Sequence, residues 1–315
     1  MNKLIHAARR VLVIFVLGGI LAGIGSAASG QIDTNRLARL KEIKALADGI
    51  HPQQGKIVLK DGLATIALPG NFRYLSPEDS ATVVYKIWGN PPGHGLIGMI
   101  IPADVSVLAR DSWAVVITYD NDGYVKDSDA SKIDYTDLLH HMQEATHEAN
   151  KARLEQHYPS IELVGWAAPP VYDKEVHKMY WAKEIHFGDS MENTINYNVR
   201  VLGRRVVLVL NTVAPMSIFP EVQKQTPDIV KMVDFNPGNR YADFNGSTDK
   251  VAAYGLAALV LGGIAAKAGF FKLLLVGILA AKKFIIIGAV AAASFAKRLF
   301  KRKTPGSPAP PTPTV

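Results

Sequence analysis

Cysteine is absent from all 315 residues. That excludes disulfides, thiol nucleophiles, iron–sulfur clusters and Cys-ligated zinc, so the fold must stand on packing alone. Acidic residues are missing from both ends, with none before Asp33 and none after Asp249. The common catalytic signatures are missing as well. There is no G-x-S-x-G, no H-E-x-x-H, no phosphate-binding loop and no dinucleotide fingerprint, so no catalytic constellation is expected.

The two acid-free ends are apolar and basic. Lys3, Arg9 and Arg10 precede an apolar core from Val11 to Ile24, followed by the small residues Gly25, Ser26, Ala27 and Ala28. That order is the shape of a secretory signal peptide cut near Ala27 or Ala28. From Val251 to Ala296 the chain is apolar apart from Lys267, Lys272, Lys282 and Lys283, and it then stops at Lys297, Arg298, Lys301, Arg302 and Lys303. A long apolar run closed by a basic cluster reads as a membrane anchor whose basic end lies in the cytoplasm. Val251 to Phe271 is the cleanest single span, and Gly255, Gly262 and Gly269 recur every seven residues. Small residues on one helical face let helices approach closely, so this face is a candidate for self-association.

The formal charge of +7 follows from that topology. Twelve of the 35 basic residues lie in the two ends, leaving 23 against all 28 acidic ones in the body, a balance of −5. Such a body has no electrostatic reason to bind nucleic acid.

Between the ends, period-two alternation marks strands and Ser/Asp caps mark helices. Gln31 to Ala47 has helical spacing. Lys56 to Leu68 reads as a hairpin turning at Asp61-Gly62, and Ser76-Pro77-Glu78-Asp79 as a capped helix start. Leu96 to Ile101 and Trp113 to Tyr119 are apolar strands. Asp134 opens the longest helix, ending near His157. Ile161 to Trp166 is a strand broken at Pro169-Pro170. A three-strand meander follows over Lys178 to Phe187, Thr194 to Leu202 and Val206 to Val213. In its second strand Ile195, Tyr197, Val199 and Val201 share one face, and Asn196, Asn198 and Arg200 the other. A helix over Phe219 to Met232 completes an α+β domain with an antiparallel sheet and packed helices. The chain therefore divides into a signal peptide (1–28), a helical linker (29–54), an exported α+β domain (55–249), a transmembrane anchor (250–299) and a basic, Pro-rich disordered tail (300–315).

Three local patterns bear on chemistry. Asp120, Asp122, Asp127 and Asp129 surround Gly123 in an acidic loop. Alternating carboxylates around a glycine turn suit Ca2+, although Thr118 stands where an EF-hand loop needs its first ligand; turn and cap roles are the plainer explanation. His140, His141, Glu144, His147 and Glu148 share one helix, where a solvated face is the simpler reading. Trp166, Tyr172, Tyr180 and Trp181 cluster near Pro169-Pro170 and could line a ligand groove. Alternation, however, puts Tyr180 and Trp181 on opposite faces, so one of them belongs to the core. The neighbouring Lys183 and Glu184 likewise point apart and form no dyad.

Several strings resemble known sequences: Trp113-Ala-Val-Val-Ile-Thr-Tyr, Asp122-Gly-Tyr-Val-Lys-Asp, Gly165-Trp-Ala-Ala-Pro-Pro-Val-Tyr-Asp, Tyr180-Trp-Ala-Lys-Glu, Leu202-Gly-Arg-Arg and Lys250-Val-Ala-Ala-Tyr-Gly-Leu. Together they resemble a bacterial family of uncharacterised membrane-anchored proteins with a domain of unknown function. The meander and following helix are also similar in architecture to PsbP/Mog1-like α/β/α sandwiches. The first resemblance implies export and anchoring, and it carries no catalytic residue or cofactor. The expected protein is a membrane-anchored envelope module that binds or scaffolds, with an envelope glycan or protein as partner. Its main domain lies outside the inner membrane and its tail in the cytoplasm. The alternative is a metal-dependent envelope hydrolase built on the acidic loop.

Overall fold

The computed structural model describes residues 34–90, 92–188 and 190–261. The expected signal peptide and tail, and the expected anchor from residue 262 onward with Gly262 and Gly269, lie outside them. In chain order the elements are helix α1 (Thr34–Asp48), strands β1 (Lys56–Leu59), β2 (Ala64–Ala67) and β3 (Phe72–Leu75), and helix α2 (Pro77–Ala81), which runs on as a π-helical turn over Thr82–Ile87. Strands β4 (Leu96–Pro102), β5 (Ala114–Asp120) and β6 (Tyr124–Lys126) precede the long helix α3 (Tyr135–Glu155). Then come β7 (Ile161–Asp173), β8 (Lys178–Phe187), β9 (Thr194–Leu202), β10 (Val207–Pro215), α4 (Phe219–Met232), β11 (Val233–Phe235), β12 (Val251–Gly255) and α5 (Leu256–Leu261).

Local chemistry explains most boundaries. Ser76 accepts a hydrogen bond from the Asp79 N–H, with Pro77 in the first turn, so α2 starts where its cap lies. Asp134 does the same for α3 through the N–H groups of Thr136 and Asp137. The β1–β2 turn runs through Lys60, Asp61 and Gly62 at φ of 40, 53 and 83°, a left-handed stretch that Asp and Gly tolerate.

The main sheet has seven strands in the order β3-β4-β5-β10-β9-β8-β7, with every neighbour antiparallel. One face carries Val115, Ile117, Ile195, Val199, Leu208 and Leu210, packed against Val222 and Ile229 of α4 and against the small antiparallel sheet β1-β2-β11. On the other face, Leu75, Met99, Val116 and Val213 pack with Ile43 of α1 and with Val83, Val84, Ile87 and Trp88. Helix α3 lies along β7, with Leu138, Met142 and Thr146 buried. The central strands are therefore covered on both sides, and β10 is buried along its whole length.

Two expectations are corrected. Pro169-Pro170 does not break the strand: β7 runs on to Asp173 as the sheet's edge, where a missing N–H breaks no ladder on the open side, and register shifts around Ala168 take up the distortion. The span expected from Val251 also fails at its start. Val251–Gly255 is a strand paired in parallel with β6, and Leu256–Leu261 is a helix with Leu256, Leu259 and Val260 buried. The domain thus reaches past 249, and Gly255 ends a strand, while Gly262 and Gly269 lie outside the described residues. Among the described residues, no helix is long and apolar enough to cross a membrane.

Candidate functional site

The acidic loop closes on the chain's own C-terminal segment. Asp122 Oδ2 accepts from the Tyr254 hydroxyl at 2.9 Å, and Asp129 accepts from the N–H groups of Leu256 and Ala257 at 3.1 and 3.4 Å. Those are first-turn donors with no partner inside their own helix, so Asp129 caps α5 from across the fold. Burial and the Asp122 charge hold the Tyr254 hydroxyl well above its usual range. Gly123, at φ 111°, makes the close approach possible. A Cβ there would lie 2.5 Å from the Lys250 carbonyl oxygen, and the next residue, Tyr124, donates its N–H to that same oxygen. Nearby, Asp249 takes Arg204 Nε and Arg205 Nε, each at 2.7 Å, and these hydrogen bonds hold its carboxyl well below the usual carboxylate range.

The four aspartates read as a Ca2+ set go to separate partners. Asp127 accepts from the Tyr172 hydroxyl at 2.9 Å, while Asp120 ends β5 on the sheet. No group of three or more His, Asp or Glu among the described residues is placed to hold a metal ion. The helix histidines His140, His141 and His147 are exposed, and His141 lies 3.4 Å from Asp137 and 3.7 Å from Glu144.

The four aromatics do not line one groove. Trp166 donates Nε1 to the Tyr135 carbonyl at 3.1 Å, tying β7 to the start of α3. Tyr172 bonds Asp127 and lies 3.2 Å from His177 Nδ1. Tyr180 packs against the core on the α4 side, whereas Trp181 is 1% exposed on the opposite face. Sequence reasoning missed a neighbouring aromatic stack. Tyr124 lies between Tyr241 (4.4 Å) and Phe244 (4.0 Å), with His177 against Tyr241 (4.1 Å).

A polar layer lies on the face of the sheet opposite α4. Strand register places Trp181 opposite Asn198, Lys183 opposite Asn196, and Asn211 opposite Asn198, with Arg200 two residues further along β9. All six are buried. Asn211 donates to Asn196 Oδ1 at 3.0 Å, and the Arg200 guanidinium stacks 4.9 Å from the Trp181 ring centre. Trp181 Nε1, Asn196 Nδ2 and Asn211 Oδ1 are buried without a partner. Burial, reinforced by Arg200, pushes the Lys183 amine down from 10.5 to about 7; burial lowers Arg200 to about 10, with Asp120 and Tyr254 acting the other way.

The solved structures to which the chain shows a weak likeness include the following two. Cyanobacterial PsbP (CyanoP) from Synechocystis sp. PCC 6803 matches with a TM-score of 0.33 and 9% identity over 68% of this chain and 99% of that one. The Saccharomyces cerevisiae Ran-binding protein Mog1p matches with a TM-score of 0.27 and 9% identity over 62% and 100%. Comparison with curated protein sequences finds no match. A family model described as a protein of unknown function, DUF2167, matches residues 51–293, well over half of the chain. The chain belongs to that family.

Proposed function

We propose that this is a membrane-anchored cell-envelope protein whose exported α+β domain acts as a non-enzymatic binding or scaffolding module. One observation carries the reading: the acidic loop is a clasp around the root of the C-terminal apolar run. Asp122, Gly123 and Asp129 hold β12 and the first turn of α5, so the run leaves from a strand fixed in the domain. A body with no recognised catalytic signature, holding the first residues of its C-terminal run in the fold, is read as a binding or scaffolding module. The signal-peptide pattern and the basic cluster after Ala296 support export with a cytoplasmic tail. An envelope glycan or protein is the partner class that such a placement favours.

Truncation tests this. A chain ending at Leu261 keeps β12 and α5; it should stay folded and leave carbonate-washed membranes, while the full chain stays bound. A chain ending at Asp249 loses buried Tyr254, Leu256 and Leu259 and should lose on the order of 5 kcal/mol of stability. Release of the full chain by carbonate, or retention of the Leu261 truncation, would count against anchoring.

A further inference from the structure

We propose that the polar layer formed by Trp181, Lys183, Asn196, Asn198, Arg200 and Asn211 is a binding site for a phosphate group, free or on a phosphomonoester. The inference does not depend on the anchor. It starts from a mismatch between donors and acceptors. Two cations lie 6% and 8% exposed on adjacent strands, and a buried charge is costly unless it is paired. Arg200 has partial relief from Asp120 on the same sheet face, from the Trp181 ring and from the Asn198 amide oxygen at 3.4 Å. Lys183 has none of these. Among the described residues its amine has no hydrogen-bond or ion-pair partner, and the charge acting on it is that of Arg200.

The unpaired neutral groups point the same way. Trp181 Nε1 and Asn196 Nδ2 are donors, and only Asn211 Oδ1 is an acceptor. Buried polar groups are normally satisfied, so each orphan needs an explanation. Two orphaned donors and two cations in one layer suit a ligand with several oxygens and more than one negative charge. Phosphate has both, and charge-assisted hydrogen bonds from Lys and Arg are strong ones. The layer is also built for one place. It sits on β8, β9 and β10, three neighbouring strands that are all inside the sheet's edges. Burial pushes the Lys183 amine down to about 7, and a phosphate beside it would favour its charged form.

The test uses the full chain in detergent micelles, with thermal unfolding and calorimetric titration at fixed ionic strength. The probes are inorganic phosphate, glycerol 3-phosphate and a short-chain phosphatidic acid, with chloride as the control. At least one phosphate probe should raise the midpoint and bind with defined stoichiometry. Lys183→Met should weaken that binding about 10- to 100-fold while remaining folded, and Arg200→Gln should weaken it similarly. Binding of the soluble probes identifies a free ligand, and binding of phosphatidic acid alone identifies a lipid headgroup; both support the site. Two outcomes overturn it: no response to any of the three, which leaves water as the occupant of the layer, or equal binding by wild type and Lys183→Met.

Discussion

Lys183→Met should make the protein more stable at neutral pH, by about 1–4 kcal/mol, because it removes a buried amine whose charged form the fold disfavours. A fall of the amine from 10.5 to about 7 corresponds to roughly 5 kcal/mol held against its charged form. The sign follows from proton counting. The folded pKa lies below the unfolded one, so the unfolded chain binds more protons between about pH 7 and 10.5, and wild-type stability rises with pH through that window. Urea unfolding at pH 7, 8 and 9 should show this rise in wild type and its loss in Lys183→Met, so that the variant's advantage narrows as pH increases. Equal stabilities with parallel pH dependence would mean that Lys183 is well solvated or paired. Proteins keep destabilising buried groups where function needs them, and for that reason this variant should gain stability as it loses phosphate.

Gly123→Ala should have the largest effect on the clasp. The left-handed φ of 111° alone costs an alanine about 1–3 kcal/mol, and the added Cβ meets the Lys250 carbonyl and the Ala252 N–H. β12 must then move away from β6, taking Tyr254 from Asp122. Gly62→Ala is the control. It also sits at positive φ, 83°, but with nothing within 4 Å of the new Cβ. Denaturation should give a loss of about 2–4 kcal/mol for Gly123→Ala and about 1 kcal/mol for Gly62→Ala. Hydrogen exchange should show faster loss of protection over 251–261 only in the former. Equal losses in the two variants would mean that the close approach at Gly123 contributes nothing.

Much of the fold was readable because its signals are local. The β1–β2 turn, the Ser76 and Asp134 caps and the β8–β9–β10 meander each follow from a few adjacent residues. The misreadings share one cause, which is partners far apart in the chain. Val251–Gly255 is apolar enough to begin a membrane helix, and only its pairing with β6, some 127 positions earlier, makes it a strand. For the acidic loop, turn and cap roles were the plainer reading of the sequence, but local sequence does not name the distant partners, which are Tyr254 and the start of α5. Pro169-Pro170 looked like a break because sheet position, which makes proline tolerable, is absent from local sequence. The polar layer was half visible. Alternation puts Asn196, Asn198 and Arg200 on one face, but local sequence shows neither that this face is buried nor that β8 and β10 add Trp181, Lys183 and Asn211 in register. The useful signal was a run of polar residues on one face of β9, next to the apolar strand β10.

The central claim is an outward-facing module rooted on a C-terminal anchor, and the absence of cysteine allows it to be tested cleanly. Single cysteines introduced as Ser247→Cys, in the exposed turn before β12, and as Ser307→Cys, in the tail, would be probed with a membrane-impermeant maleimide on intact spheroplasts and after lysis. Labelling of Ser247→Cys in intact spheroplasts, with Ser307→Cys protected until lysis, is the expected result. Labelling of Ser247→Cys only after lysis would place the domain in the cytoplasm, and labelling of both before lysis would return the tail to the outer side. Either result would contradict the account.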